Sequence, residues 1–267
     1  MMCFSDCHLS MTARYVLFII ADDWSPISRT YGDPVIETPF VDELSSRSTT
    51  FSHAYCTTPS CSASRACILT GIHAHTHGQY GHTHSIHGFS THVNVPTVPG
   101  VLRDNRRYTA LLGKDHTAPA SVYPWTCKEW PEMTPQGVEA SVCKSFEEAK
   151  KSGRGGMIML APAYPHRMGF GGWGLGQHTA QFNDPRYDLD QIPVPAFLPD
   201  TSAVRRDLAG YYGGISRFDA LVGGALRALT ASGLNDQTLV VVTSDHGMPF
   251  PGAKASCYDG GHHCPLI

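Results

Sequence analysis

The sequence predicts an α/β fold in which helices flank a central, mostly parallel sheet. Three runs of apolar, β-forming residues carry this prediction, because such runs are typical of strands that are buried on both faces of a parallel sheet. They occupy residues 15–20, 156–161 and 238–243. Apolar residues also recur every three or four positions over residues 203–229, which predicts a long core helix before the last of these strands.

The length and composition favour one soluble domain. A chain of 267 residues can bury a single large core. A formal net charge of −3 with 16% charged residues provides no basic field for nucleic acid. No apolar run is long enough to span a bilayer. We therefore expect neither a nucleic-acid partner nor a membrane span, and the oligomeric state stays open.

The N-terminus and the cysteines bear on the compartment. Residues 1–13 are predicted to be a disordered extension, with the single domain covering residues 14–267. The extension lacks the hydrophobic region of a signal peptide, so the sequence by itself favours the cytoplasm. Nine cysteines form no dense framework, and a disulfide scaffold is not expected. Cys127 and Cys143 could pair in an oxidising compartment, although spacing cannot show it.

The first predicted strand ends in two acidic residues, Asp22 and Asp23. Ligands of open α/β sheets bind beyond the carboxyl ends of strands, so carboxylates here are well placed to hold a hard cation. A solvated turn would explain the pair equally, because Asp is common after strands. Further along, Thr38 and Pro39 predict the cap and the first position of a helix.

The next predicted helix carries a potential nucleophile and a cationic side chain. Residues 64–70 predict a short helix closed by Gly71, which places Cys61 near the helix N-terminus, where an anion is favoured. Arg65 follows Cys61 by one turn, and its guanidinium can hold an oxyanion through two parallel hydrogen bonds. A buried cysteine on an ordinary helix is the alternative interpretation.

A histidine-rich tract follows this helix. Such a tract could bind a transition metal. Its spacing lacks the paired pattern of a defined zinc site, so a polar loop beside the active site is the favoured interpretation. Its seven histidines are His73, His75, His77, His82, His84, His87 and His92.

A strand over residues 108–112 is predicted to run into Lys114 and His116. Two residues spaced in this way on an extended segment point to the same side, so one face would carry a cation and a base. A surface lysine and histidine are the default alternative. The proline-rich residues 117–137 are predicted to be loop, followed by a short helix over residues 145–151.

The two remaining strands also end in polar residues. His166 follows the strand at residues 156–161, although a loop histidine is the plain alternative. Asp245 and His246 follow the last strand and form a second pair that could bind a metal. Between them, a glycine-rich loop at residues 169–176 suits contact with a sugar ring. Glycines inside the long helix predict close packing or a break.

A cluster of potential metal ligands lies near the C-terminus, after Lys254. These residues could form a zinc site, but ordinary polar sequence is the favoured interpretation. Its members are Cys257, His262, His263 and Cys264.

These motifs together resemble the type I, formylglycine-dependent sulfatases. The similarity is most specific at Cys61 and Arg65 followed by the segment Leu69-Thr70-Gly71, and it extends from Tyr15 to the end of the chain. Many members have proline where this chain has Ala63. The details of the sequence are most similar to the heparan N-sulfatase branch. The resemblance implies an alkaline-phosphatase-like fold.

The resemblance also implies residue roles. A maturation enzyme of that family oxidises the cysteine to formylglycine, whose hydrated aldehyde is the nucleophile, so Cys61 is expected to be modified. Arg65 would orient the hydrate, and Lys114 and Lys254 would neutralise the sulfate. His166 would protonate the leaving group, and His116 would deprotonate the second hydroxyl. The implied ligands of a single Ca²⁺ ion are Asp22, Asp23, Cys61 as formylglycine, Asp245 and His246.

The implied activity is hydrolysis of sulfate esters or sulfamates, with sulfated sugars such as the N-sulfoglucosamine of heparan sulfate as substrates. Two alternatives stay open: a phosphonate or phosphate ester hydrolase of the same fold, and a non-catalytic relic that binds metal and sulfated glycans. Family members are often lysosomal, periplasmic or secreted, which leaves the compartment open. The chain stops inside a predicted strand, so we expect the family's smaller C-terminal subdomain to be missing.

Overall fold

A computed structural model describes residues 14–84, 86, 88–167 and 187–267. The predicted extension at residues 1–13 and the glycine-rich loop at residues 169–176 lie outside the described residues. Within them, a parallel sheet separates two groups of helices, which confirms the predicted α/β class.

The main sheet has five parallel strands in the order β4-β3-β5-β1-β6. Strand β1 lies between β5 and β6, and its residue Tyr15 aligns with Gly156 on one side and Thr238 on the other. The strands are β1 (Tyr15–Ala21), β3 (Tyr108–Gly113), β4 (Cys127–Glu129), β5 (Gly156–Ala161) and β6 (Thr238–Ser244). The carboxyl ends of four of these strands therefore lie along one edge, next to the predicted polar residues.

A second, two-stranded antiparallel sheet pairs β2 (Ala54–Tyr55) with β7 (His263–Cys264). It joins the segment just before Cys61 to the C-terminal part of the chain. The helix α7 (Asp259–His262) precedes β7 directly. The metal-capable groups among the described residues do not include the candidate zinc ligands of this region.

Apolar residues pack on both faces of the main sheet. One core contains Leu17 and Ile19 of β1 with the helices α1 (Pro39–Ser46), α5 (Pro135–Lys151) and α6 (Ser202–Ser232). The opposite core contains Ile20 of β1 with the helices α2 (Cys61–Thr70) and α4 (Val98–Asp104). This burial on both sides explains why the strands are apolar runs rather than alternating patterns. The remaining helices are the short α3 (Ala74–His77) and two 3₁₀ turns, Arg29–Tyr31 and Asn235–Gln237.

Two secondary-structure predictions for residues 117–151 were wrong. The predicted loop contains β4, which pairs with β3 at the edge of the sheet. The helix predicted to begin at residue 145 begins ten residues earlier, at Pro135. The Thr134 side chain accepts a hydrogen bond from the Gly137 N–H, which caps the helix, and proline is well suited to the first helical position. Thr134 and Pro135 together were the signal that the sequence prediction missed.

The long helix α6 is continuous from Ser202 to Ser232, so its glycines do not break it, and two of them, Gly223 and Gly224, mark close packing. A Cβ atom on Gly224 would lie 2.4 Å from the Pro135 carbonyl oxygen of α5. One on Gly223 would lie 2.7 Å from the Phe40 ring of α1. The missing side chains therefore let two neighbouring helices approach α6 closely.

The proposed cysteine pair is not joined. Cys127 on β4 and Cys143 on α5 are both free thiols, as are the other cysteines among the described residues. None of the helices in the described part of the chain combines the length and the apolar character needed to cross a bilayer.

Candidate active site

Two pairs of ionisable residues meet at the carboxyl edge of the sheet because β1 and β6 are parallel neighbours. Ala21 aligns with Ser244, so the residues that follow both strands emerge side by side. The Asp23 backbone N–H donates to Asp245 Oδ1 at 3.1 Å, and Asp23 adopts a left-handed φ of 73°. The four side chains are fully buried. They are Asp22, Asp23, Asp245 and His246.

Helix α2 is attached to this edge by its first turn and a half. Cys61 is the first helical residue, which confirms its predicted place at a helix N-terminus. Arg65 Nε donates to Asp245 Oδ2 at 3.0 Å, and Ser64 Oγ donates to the Asp245 carbonyl oxygen. The Cys61 sulfur lies 3.2 Å from His246 Nε2. Cys61, the predicted nucleophile, therefore lies in the same buried site as these two pairs of residues.

Cations and histidines from other strand ends complete the site. Lys114, after β3, lies 2.5 Å from Asp22 Oδ2. Lys254 Nζ lies 2.7 Å from Asp23 Oδ1. His166, after β5, is partly exposed and has its Nε2 4.0 Å from Asp23 Oδ2. The lysine and histidine side chains thus reach the acidic residues from the rim.

His116 also reaches Cys61, but the predicted reason was wrong. The segment is not regular extended backbone at this point, because His116 has a left-handed φ of 59°. Such a conformation is uncommon for a non-glycine residue and is often found at functional sites. The turn aims the imidazole at the Cys61 thiol.

The acidic side chains of the site are paired with basic side chains. Three carboxylates, of Asp22, Asp23 and Asp245, face three cations, those of Arg65, Lys114 and Lys254. Burial of this many charges is costly unless they are paired. A buried group of this kind, beside a nucleophile, is typical of a site built for chemistry.

The pKa values of the three carboxyl groups diverge. Burial favours the neutral form of Asp22, yet Lys114 and Arg65 outweigh it and lower the pKa. Burial and the neighbouring Asp22 raise the pKa of Asp23. Burial also raises the pKa of Asp245, to about 7. The cations therefore stabilise the ionised form most strongly at Asp22.

The thiol and His246 are stabilised in their charged forms. Burial alone would raise the pKa of Cys61, but hydrogen bonds with His116, His166 and His246 hold it well below the usual range. Burial opposes the charged form of His246, and Asp245 more than compensates, so its pKa rises to about 10. The surroundings of position 61 thus favour an anion there.

The donor set could hold a metal ion. Asp22, Cys61, Asp245 and His246 offer ligand atoms that lie within 4.8 Å of one another, and a second such group contains Asp23. Asp22 Oδ1 is buried without a hydrogen-bond partner, which a metal ligand atom would explain. Carboxylate oxygens are the ligands that calcium and magnesium prefer.

All of the residues predicted for catalysis or metal binding meet at this site, but sequence reasoning missed several supporting residues. The Tyr211 hydroxyl, on α6, donates to the Asp23 carbonyl oxygen at 2.8 Å. Ser244 Oγ accepts from the Trp24 N–H and donates to the His246 carbonyl oxygen. Tyr211 lies 188 positions from Asp23, and no local pattern connects them. Ser244 could have been found from its place at the end of β6.

Comparisons with known proteins give consistent results. The sulfatase family model matches residues 14–267. Human N-sulphoglucosamine sulphohydrolase is 32% identical over 95% of this chain and 54% of its own length. The yidJ protein of Bacteroides fragilis has a TM-score of 0.76 at 20% identity, over 94% of this chain and 67% of that chain. A phosphonate monoester hydrolase of Silicibacter pomeroyi has a TM-score of 0.70 at 19% identity, over 95% and 67%. The chain spans about half the length of the curated relatives it matches.

Proposed function

The chain belongs to the sulfatase family, and we propose that it hydrolyses sulfate esters or sulfamates through a formylglycine formed from Cys61. One observation carries this proposal most directly. Cys61 begins a helix, contacts three histidines, and lies against buried carboxylates that could hold a metal. An ordinary buried cysteine has no need of such surroundings.

We propose calcium as the metal, held by Asp22, Asp23, Asp245, His246 and position 61. Oxygen donors dominate the set, as calcium requires, although His246 adds one nitrogen. When bound, the ion would place positive charge beside a sulfate oxygen and stabilise negative charge that develops there. Asp22 Oδ1, which is buried without a hydrogen-bond partner, supports this assignment.

The Cys61 sulfur marks the position at which a formylglycine would supply its hydrated aldehyde as nucleophile. Formation of that group requires a maturation enzyme as a partner. Arg65 is fixed by Asp245 and lies one helical turn from position 61, so its guanidinium can orient the modified residue. Lys114 and Lys254 approach from the open side, where they can neutralise the oxygens of a bound sulfate.

We assign the two proton transfers of the reaction to two different histidines, His116 and His166. His116 contacts position 61 and can accept a proton from it. His166 stands at the partly exposed rim, where a leaving oxygen or nitrogen can reach it. An acid and a base supplied by separate groups would assist cleavage of an ester or sulfamate, and these two histidines follow different strands.

We propose sulfated sugars as the substrate class, with N-sulfoglucosamine as the first candidate. The name of the human relative and its 32% identity support this choice. We also propose that the protein is located in a compartment that contains sulfated glycans, because these are its proposed substrates.

Phosphonate or phosphate ester hydrolysis is the second candidate, favoured by the fold shared with the phosphonate monoester hydrolase. Paired cations suit phosphoryl oxygens as well as sulfuryl oxygens. Rates on matched aryl sulfate, aryl phosphate and phosphonate esters separate the two. A higher kcat/KM on the sulfate supports the main proposal, and a higher value on either phosphorus ester replaces it.

Mass spectrometry of the peptide containing Cys61 tests the nucleophile. The protein should come from its native host, or from a host that expresses a matching maturation enzyme. We expect an aldehyde at position 61 and turnover that Cys61→Ala abolishes. An unmodified thiol together with no turnover would support the non-catalytic relic, and turnover that persists in Cys61→Ala would overturn the assigned nucleophile.

A further inference from the structure

Three histidines form a second cluster beside the active site. His82 and His84 come from the histidine-rich tract, and His116 follows β3. One ring nitrogen from each lies within 4.8 Å of the others. The rings are nearly parallel, and their centroids are 4.8–5.2 Å apart. We call these three residues the histidine cluster.

One residue of the cluster carries a buried polar atom without a hydrogen-bond partner. The Nδ1 atom of His116 is buried and has no hydrogen-bond partner. Buried polar atoms are rarely left unpaired, and such an exception calls for an explanation. His116 is also held at a left-handed φ. A metal ion bound through Nδ1 would satisfy this atom.

We propose that the histidine cluster is a binding site for a borderline transition-metal ion, with Zn²⁺ as the first candidate. Three imidazole nitrogens suit Zn²⁺, Cu²⁺ and Ni²⁺, whereas Ca²⁺ requires oxygen ligands. Three histidines with an open fourth position are a known zinc arrangement. His84 is exposed, so an ion can enter from solvent and retain a water molecule.

The three imidazole nitrogens must move closer together to bind one ion. Zinc–nitrogen bonds of about 2.0–2.1 Å place two nitrogens of a tetrahedral site about 3.4 Å apart. Separations of up to 4.8 Å would therefore shorten by up to about 1.4 Å. His82 and His84 lie in loop sequence, which can adjust more easily than a strand end. Ser62 Oγ lies 3.5 Å from His82 Nδ1, which is a long distance for a hydrogen bond.

The site has a consequence for activity that rests on the proposed function. An ion bound to His116 would occupy the imidazole that accepts a proton from position 61. Zinc bound at the cluster would therefore inhibit turnover, while calcium at the carboxylates would support it. The two sites would take different metals because their donor atoms differ.

The test is a calorimetric titration of Zn²⁺ into the full chain, prepared without a histidine tag and kept in saturating Ca²⁺. His84→Ala removes one cluster ligand. The matched control is His75→Ala, which alters an exposed histidine of the same tract that stacks on His73, outside the cluster. Circular dichroism melts establish that both variants fold, and His82→Ala replaces His84→Ala if that variant does not.

We expect the wild type and His75→Ala to bind one Zn²⁺ with the same affinity, and His84→Ala to bind at least about tenfold more weakly. No zinc binding by the wild type, or equal binding by His84→Ala, would overturn the proposal. The titration needs no substrate, so a failure of the proposed function leaves this result intact. If the protein turns over, zinc should inhibit His84→Ala at correspondingly higher concentrations than the wild type.

Discussion

The two clusters beside Cys61 are built in opposite ways. The carboxylate cluster, Asp22, Asp23, Asp245 and His246, follows two paired strands and is fully buried. The histidine cluster takes two of its members from loop sequence and leaves His84 exposed. Sites on rigid elements hold their geometry more closely than sites on loops. We therefore infer that the first cluster is preorganised for chemistry and that the second is an adjustable site reached from solvent.

The largest expected effect comes from removing one charge of the carboxylate cluster. Asp22→Asn keeps the size of the side chain but weakens both the metal site and the contact with Lys114. We expect kcat/KM on an aryl sulfate to fall at least about 10³-fold, equivalent to about 4 kcal/mol. Calcium affinity, measured by calorimetry, should fall as well. Near-normal activity together with unchanged calcium binding would show that the carboxylates do not form the metal site.

The second prediction concerns stability, because the buried cluster depends on its internal cation. Arg65→Met leaves Asp245 and Asp22 without the guanidinium that lies beside them. Breaking a buried ion pair in this way is expected to lower the free energy of unfolding by about 3–5 kcal/mol, measured by urea denaturation.

The control for this prediction is Arg227→Met, which removes the partly exposed ion pair with Glu139. Such a pair is worth about 1 kcal/mol or less. Equal losses in the two variants would mean that the buried cluster is not held together by Arg65.

His116 is a member of the histidine cluster and also contacts Cys61, so its replacement tests whether it takes part in catalysis. In His116→Gln we expect kcat on an aryl sulfate to fall about 10²-fold, because a proton acceptor at position 61 is lost. Rapid-quench kinetics should show a first turnover that outpaces later ones, since the lost step follows the attack on sulfur. A kcat within threefold of the wild type would remove His116 from the mechanism.

Asp219, a buried carboxyl group outside both clusters, shows how burial by itself changes the pKa of a carboxyl group. Asp219 accepts hydrogen bonds from the Val41 and Phe40 N–H groups at the start of α1. Burial raises its pKa from 3.8 to about 7, against the effect of these hydrogen bonds. The folded state therefore binds this proton more tightly than the unfolded state does.

This group stabilises the fold below pH 3.8, and the contribution is lost as the pH rises through about 7. Relative to Asp219→Asn, the wild type should lose roughly 2 kcal/mol of unfolding free energy between pH 5 and pH 7. Urea denaturation at both pH values measures the difference. Parallel stability profiles would show that Asp219 is ionised throughout this range.

The sequence allowed prediction of the features that depend on strand ends. Asp22 and Asp245 could be placed together because apolar runs identify parallel strands and the carboxyl ends of such strands share an edge. Cys61 and Arg65 followed from helix spacing. These parts of the site were predictable since each rests on a local pattern.

The remaining features depend on contacts between distant segments. The approach of Tyr211 to Asp23 depends on how α6 packs, which no local pattern encodes. The histidine cluster depends on the path of a loop and on the left-handed turn at His116. Strand β4 has only three residues, too few for a periodic signal, and its pairing with β3 was missed.

Strand β1 lies between two strands that come much later in the chain, which affects how the protein folds during its synthesis. This strand ends at Ala21, whereas its two neighbours begin at Gly156 and Thr238. At a synthesis rate of about 5–20 residues per second, the apolar strand leaves the ribosome on the order of ten seconds before either neighbour exists. During that interval the backbone of β1 has neither of its native strand partners. The yield of folded protein therefore depends on how well this first segment is kept from associating with other chains.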